Sequence, residues 1–405
     1  QGETYLYDIS ALYAKWVCDM EDAQRESGSV SDVSPAYWPL YNDNVTWPSS
    51  FILIPGMLYR QYGDATVMAR HYDGLKKWIT HMSGYIEDGI IHKDNYGDWC
   101  VPPEEQHMIH SQDPARRTAG EFLATAYFIH DLRCMEKYAT LLGKESDAKE
   151  FNQAAEEMTD AFNREFYKKE AGHYINGTET SCVLPLAFDL APEEARPSIF
   201  NHLVNSIMEK GQGHLSTGLI GGQWLMRALT NGGRPDVAWT LASQTTYPSW
   251  GYMVSKKATT IWELWNGDTA DPAMNSHNHV MLVGDLNIWL YEHLGGIRPE
   301  SPGFKSMLLD PSMPEGLDYA EASYDSIHGQ IFSRWERSDE SILWRVGIPA
   351  NTTATLALPA DDPALIQESG KAITNCPDLK FIAVEEGKSR FSAGSGWYEF
   401  TISAK

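Results

Sequence analysis

The sequence predicts a mainly α-helical chain, a ring of helical hairpins followed by a small C-terminal antiparallel β-sandwich, and three observations lead there. Apolar residues recur at helical spacing through residues 1–300, glycine-rich breaks interrupt them at short intervals, and after the Gly295–Gly303 stretch "GGIRPESPG" the pattern turns to alternation. At 405 residues the chain also exceeds the roughly 250 to 300 at which a single core stops growing. Two domains are expected, residues 1–300 and 301–405.

Taken in order, residues 5–20 place Leu6, Ile9, Tyr13, Trp16 and Val17 on one helical stripe, and 151–166 repeat this with Phe151, Ala154, Met158, Phe162 and Phe166. Further helices are predicted at 49–62, 67–83, 120–142, 194–210, 219–230, 234–245 and 278–294. Gly63-Asp64, Gly143, Gly211-Gln212-Gly213 and Asn231-Gly232-Gly233 supply the chemistry of helix ends. Short turns favour antiparallel neighbours, hence hairpins. The longer Pro- and Trp-rich loops at 34–48, 94–118 and 246–277 are expected to decorate one rim. Beyond Gly303, "SIHGQIFSRWER", "SILWRVGIPANTTATLALP" and "GWYEFTI" are strand-like, with Trp335, Trp344 and Trp397 expected in the core between sheets.

The net charge of −23 repels phosphate backbones and anionic lipid surfaces, so neither nucleic acid nor a membrane surface is an expected partner. No run of apolar residues is long enough for membrane insertion, and a soluble chain is expected. Cys18, Cys100, Cys134, Cys182 and Cys376 are scattered and lack a Cys-x-x-Cys pair, which suits free thiols rather than a zinc site or a disulfide framework. The chain begins with Gln1, without a Met or the pattern of a signal peptide, so a processed leader or an upstream portion is to be considered.

Chemistry concentrates in the rim loops. The chain has 14 Trp and 20 Tyr, and Trp38, Trp47, Trp99, Trp250, Trp262 and Trp265 fall in predicted loops. An indole face packs against the C–H face of a sugar ring while placed polar groups take its hydroxyls, which makes carbohydrate the leading ligand class. In "ATTIWELWNG" the single acid Glu263 stands between Trp262 and Trp265. There it can orient a water for attack on a sugar carbon, or cap a turn as an ordinary surface acid does. "NYGDWCVPPEE" offers Asp98 to sugar hydroxyls or to an Asx turn, with Glu104 and Glu105 solvated. His277 and His279 in "NSHNHVML" lack a third ligand at useful spacing, so no metal is expected.

With those residues in hand, the chain closely resembles the bacterial α-L-rhamnosidases of glycoside hydrolase family 78. The matching stretches run in the family's order: "YLYDISALYAKWVCDMEDAQ", "VTWPSSFILIPGMLYRQYGD", "YGDWCVP", "HLSTGLIGG", "YPSWGYMVSKKATTIWELWNG" and "SHNHVML" with "WLYEHLGGIRP". The resemblance implies an (α/α)6 barrel, a six-hairpin toroid with its first segment missing, and inverting hydrolysis of terminal α-L-rhamnosides without a cofactor. On it, Glu263 matches the general base. Trp47, Asp98, Trp99 and His279 fall on stretches lining the rhamnose pocket, with Trp250, Tyr252, Trp262 and Trp265 as further wall residues. It also implies a rhamnose-containing oligosaccharide or glycoside as substrate. The general acid is expected upstream of residue 1, in a loop preceding the stretch that matches Tyr5–Gln24, on a missing N-terminal portion of the same protein. One departure lies inside the chain: "TWPSS" replaces the more frequent Trp-Gly-Asp-Ala, leaving Ser49 where an Asp is common. A non-catalytic sugar-binding protein and a different (α/α)-barrel carbohydrate enzyme are the competing readings.

Overall fold

Helices fill most of the chain up to Leu294 in the computed structural model, which describes residues 1–403, and strands follow. The chain divides into two compact units. One comprises Leu12–Gly56 and Thr66–Asp285; the other gathers Gln1–Ala11, Met57–Ala65 and the residues from Leu286 onward.

In the larger unit, Glu145–Phe166 buries Phe151, Ala155, Met158, Ala161, Phe162 and Phe166, one stripe of a 3.6-residue period. Glu145 and Asp147 in its first turn and Arg164 in its last complement the helix dipole. The preceding helix, Gly120–Leu141, is buried on most sides and meets it through Phe122, whose ring lies 4.9 Å from Phe162 and 5.5 Å from Phe166. A tight turn joins them, with the Lys144 N–H donating to Ala139 O at 2.8 Å.

Most predicted helices stand close to their expected bounds: Ser49–Tyr62, Thr66–Ser83 and Pro235–Ser243, with Arg196–Asn205 prolonged by a π-turn over Ser206–Lys210. Others differ for identifiable reasons. The first helix begins only at Ser10, because Tyr5 is held elsewhere by long-range contacts. The predicted 219–230 helix is broken into Leu219–Gly222 and Leu225–Asn231. The 278–294 helix is broken at Gly284, which has φ 56° and presses on the chain so closely that a Cβ would sit 2.4 Å from Gly222 O. Among the described residues two short α-helices fall outside the predicted set. Glu179–Ala187 contains Pro185, and Trp250–Ser255 starts inside a predicted loop, capped by Ser249 Oγ accepting the Tyr252 N–H at 2.9 Å.

The Ser49 departure has a structural partner. Ser49 Oγ lies 2.8 Å from Val45 O and 2.6 Å from Asp131 Oδ2, both acceptors for its single hydrogen if Asp131 is ionised. Burial raises the Asp131 carboxyl well above the usual range, and a protonated Asp131 resolves the count: it donates to Ser49, which donates to Val45 O. The folded protein therefore keeps a proton that the unfolded chain releases above about pH 4, and stability falls as pH rises through the carboxylate range, by up to about 1.4 kcal/mol per unit. Asp131→Asn, whose amide N–H donates in the same place, is expected to flatten that slope when Tm is followed against pH. An unchanged slope would assign it to another group.

The smaller unit holds two sheets. One has the strand order Leu379–Glu385, Lys388–Ala393, Thr353–Leu358, Ser306–Leu309, Ile297–Pro299, and the other Lys371–Ala372, Ile366–Glu368, Gly396–Ser403, Ser341–Ile348, Gly329–Arg337, Tyr319–Ser326. Pairings are antiparallel as expected, apart from Thr353–Leu356 beside Ser306–Leu309, which run parallel because the chain visits the other sheet between them. Trp335 and Trp344 are fully buried, and Trp335 Nε1 donates to Leu294 O at 2.9 Å. Trp397 corrects the expectation of a core residue. It is 69% exposed on an outward position of Gly396–Ser403, touching Phe332. The first residues belong to this unit: Tyr5 OH and Arg60 Nη1 both donate to the buried Glu292 Oε1 at 2.8 Å, and the Tyr5 ring stacks on Tyr291 at 4.9 Å. Among the described residues no helix is long and apolar enough to cross a membrane.

Candidate active site

Asp94 and Asp98 organise the loop that precedes Trp99. Asp94 Oδ1 accepts the Gly97 N–H at 2.6 Å and the Tyr96 N–H at 3.0 Å, so the Asx turn considered for Asp98 is made by Asp94 instead. Asp98 reaches inward. Its Oδ2 accepts from Thr180 Oγ1 and from the Gly218 N–H at 2.8 Å, and its Oδ1 from Ile220 N at 2.8 Å and Gly221 N at 3.2 Å. Both oxygens are thus engaged by protein donors at the start of Leu219–Gly222. Burial raises the Asp98 carboxyl and these donors oppose the rise. Leu219 N–H then donates to Trp99 O at 2.7 Å, and residue 218 must be glycine, since a Cβ there would lie 2.3 Å from that same oxygen.

A cavity of about 250 Å³ opens beside this loop, lined by Asp94, Tyr96, Asp98, Trp99, Cys100 and His110 among others. Tyr96, Trp99 and His110 line it in contact, Tyr96 to Trp99 at 6.3 Å and Trp99 to His110 at 5.1 Å, and Trp47 packs against Tyr96 at 4.5 Å. Trp47 and Trp99 are half-buried, the state a ring-stacking wall requires. Burial, assisted by the Arg117 charge, pulls His110 down and keeps its ring neutral, while burial pushes Asp94 up to about 6.

Glu263 reaches this place through two pairings of loops. Its N–H donates to Ser276 O at 2.8 Å, Ser276 N–H returns to Glu263 Oε2 at 2.9 Å, and His279 N–H donates to Ile261 O at 2.8 Å. That closes residues 261–263 against 276–279. Asn266 Nδ2 then donates to Gln106 O at 2.8 Å and Met108 O at 2.9 Å, with Thr269 Oγ1 on Gln106 O at 2.8 Å, tying the turn after Glu263 to the loop after Trp99. Glu263 is half-buried, and its Oε1 takes no hydrogen bond from the described residues. It does not line the 250 Å³ cavity, but Cys100 does, and the Cys100 thiol is raised by burial first and then by the charges of Glu263 and Asp98. The carboxylate thus belongs to loops tied to the one that follows Trp99.

The remaining predicted residues divide by exposure. Trp250, Trp262 and Trp265 are 8%, 4% and 2% exposed and pack behind the site: Trp250 meets Trp265 edge-on at 5.7 Å and donates to Leu282 O, and Trp262 stacks on His277. Tyr252 OH donates to Asp268. His279 is half-buried with its Nδ1 enclosed and unbonded among the described residues, and His277 Nε2 lies 2.8 Å from Gly267 O. Glu104 is exposed, as expected of a solvated acid, and also accepts from Ser111 Oγ within its own loop.

Sequence reasoning passed over several residues. Asp94 is signalled by the Asp-x-x-Gly spacing of its turn, whereas Tyr96 and His110 carry no local signature. Glu179 lies at the start of an unpredicted helix. Enclosed polar atoms without a hydrogen bond among the described residues gather in the same loops: His110 Nδ1, Tyr247 OH, Trp265 Nε1, Asn266 Oδ1, Asn275 Oδ1 and His279 Nδ1. Buried polar groups are ordinarily paired, so each of these atoms marks a bond the loops leave unmade. Among the described residues no three His, Cys, Asp or Glu converge as a metal would require.

Comparison with known proteins adds an independent finding. The model of the bacterial alpha-L-rhamnosidase 6 hairpin glycosidase domain matches residues 1–294, and that of the bacterial alpha-L-rhamnosidase C-terminal domain matches 296–372. An α-L-rhamnosidase of Streptomyces avermitilis is 31% identical over 98% of this chain and 37% of its own length; one of Formosa agariphila is 31% identical over 98% and 43%. The solved structure of the α-L-rhamnosidase from Dictyoglumus thermophilum superposes with a TM-score of 0.90 at 33% identity, covering 99% of this chain and 45% of that one. The Streptomyces avermitilis enzyme complexed with L-rhamnose gives 0.87 at 30%, covering 98% and 38%. The chain spans less than half the length of these relatives.

Proposed function

Since the chain belongs to the bacterial α-L-rhamnosidases of the six-hairpin type, we propose that it carries the sugar site and general base of an enzyme hydrolysing terminal α-L-rhamnosides with inversion. The observation that carries this reading is the Glu263 carboxylate: one oxygen fixed by Ser276 N–H, the other unbonded among the described residues, on a loop bonded to the one that follows Trp99. Held in this way, Glu263 accepts a proton from a water as that water attacks the anomeric carbon opposite the departing oxygen. Trp47 and Trp99 serve as walls for the ring and methyl group of the 6-deoxy sugar, and the half-buried His279 serves a hydroxyl. Asp98 acts as a pin for Trp99, and Trp250, Tyr252, Trp262 and Trp265 support the wall from behind.

Inverting hydrolysis also needs an acid for the leaving oxygen, with the two carboxyl groups roughly 6.5 to 9.5 Å apart. The chain spans less than half the length of its relatives, so activity is to be measured on the full encoded protein. With p-nitrophenyl α-L-rhamnoside, proton NMR of the first-formed sugar is expected to show β-L-rhamnose, and the corresponding glucoside is expected to be left intact. α-L-Rhamnose as first product would make the mechanism retaining, and cleavage of the glucoside alone would move the chain to another substrate class.

A further inference from the structure

The proposed hydrolysis makes no use of Glu179, yet the structure ties this acid to the sugar wall. Glu179 opens the helix Glu179–Ala187 and is 2% exposed. Its Oε2 accepts the Ser216 N–H at 2.7 Å, and its Oε1 is enclosed with no hydrogen bond among the described residues. The next side chain, Thr180, donates to Asp98, which in turn takes the N–H groups of Gly218, Ile220 and Gly221. Two acids thus hold one short segment, Glu179 at its start and Asp98 along the rest. That segment supports Trp99 from below, through Leu219 N–H on Trp99 O.

We propose that Glu179 is a positioning residue that fixes residues 216–221 beneath Trp99 together with Asp98, and that it does so while carrying a proton. The proposal rests on Trp99 being part of the sugar wall. Burial pushes the Glu179 carboxyl up to about 7 against the pull of the Ser216 N–H, with the Arg116 charge opposing and the Asp98 charge adding to the rise. On its own helix it faces Cys182, a thiol that burial pushes up to about 12 and that brings no charge at neutral pH. In the neutral acid, Oε2 accepts from Ser216 as a carbonyl oxygen does. Ionisation sets a second buried carboxylate beside Asp98, where like charges repel and neither is hydrated.

The sign follows. Below about 7 Glu179 is protonated and the segment is held; as pH rises through that value the hold weakens. If only the protonated form binds sugar, apparent affinity is divided by its population, so one pH unit higher it is about tenfold weaker. The experiment pairs L-rhamnose calorimetry with amide protection factors for residues 216–221, on wild type, Glu179→Gln and Glu179→Ala of the full protein, one pH unit below and one above about 7. Wild type is expected to lose about tenfold in affinity and to lose protection at the higher pH. Glu179→Gln should be flat in both at the low-pH level, and Glu179→Ala poor in both at either pH. Either the wild-type slope persisting in Glu179→Gln or full protection in Glu179→Ala overturns the proposal. A pH-responsive segment in a protein that binds no L-rhamnose overturns the functional reading instead and leaves the pinning role supported.

Discussion

Glu263→Gln is expected to lower kcat/KM on an aryl α-L-rhamnoside by ~10²- to 10⁴-fold while L-rhamnose still binds. The amide keeps an oxygen for the Ser276 N–H, so the paired loops 261–263 and 276–279 stay closed and the cavity walls stay in place. What it loses is the ability to take a proton from water at the oxygen left unbonded by the protein. A split between kcat and binding therefore identifies a chemical role and excludes a merely structural one. Added azide supplies a nucleophile that needs no base, so Glu263→Ala with azide should yield β-L-rhamnosyl azide. Full activity in Glu263→Gln would remove the residue from the reaction.

The second large effect is on stability. Asp98→Ala removes the acceptor for Thr180 Oγ1 and three main-chain N–H groups, all enclosed. Leaving such a set unpaired is expected to cost about 3 to 5 kcal/mol, which for a unit of this size lowers Tm by roughly 6 to 20 °C. Sugar binding should fail at temperatures where the variant remains folded, because Trp99 loses the support of Leu219. Melting within a degree or two of wild type would show that water takes over the four donors without loss.

The fold was legible wherever burial followed a simple period. Glu145–Phe166 and Thr66–Ser83 came through because their buried residues recur at the helical period. Gly284 and Tyr5 defeated the same reasoning, since one answers to a carbonyl of residue 222 and the other to a carboxylate at 292, neither of which periodicity can see. At the proposed site, Glu263, Trp47 and Trp99 were legible as an acid and two rings in polar loops. Asp98 was legible as important, yet its partners lie at residues 180 and 218–221, so only the folded chain shows that its oxygens face main-chain amides. Trp250, Trp262 and Trp265 illustrate a limit of residue type: an indole that stacks on sugar and one that fills space read alike until burial separates them.

The buried Glu292, gripped by Tyr5 and Arg60, makes the smaller unit discontinuous along the chain. Its earliest residues leave the ribosome first and then wait for the long insertions Leu12–Gly56 and Thr66–Asp285 to be synthesised before their partners exist. A cut near residue 300 that looks like a clean domain border would keep Tyr5, Arg60 and Glu292 together but part the Tyr5 ring from Tyr324 and the Leu294 carbonyl from Trp335.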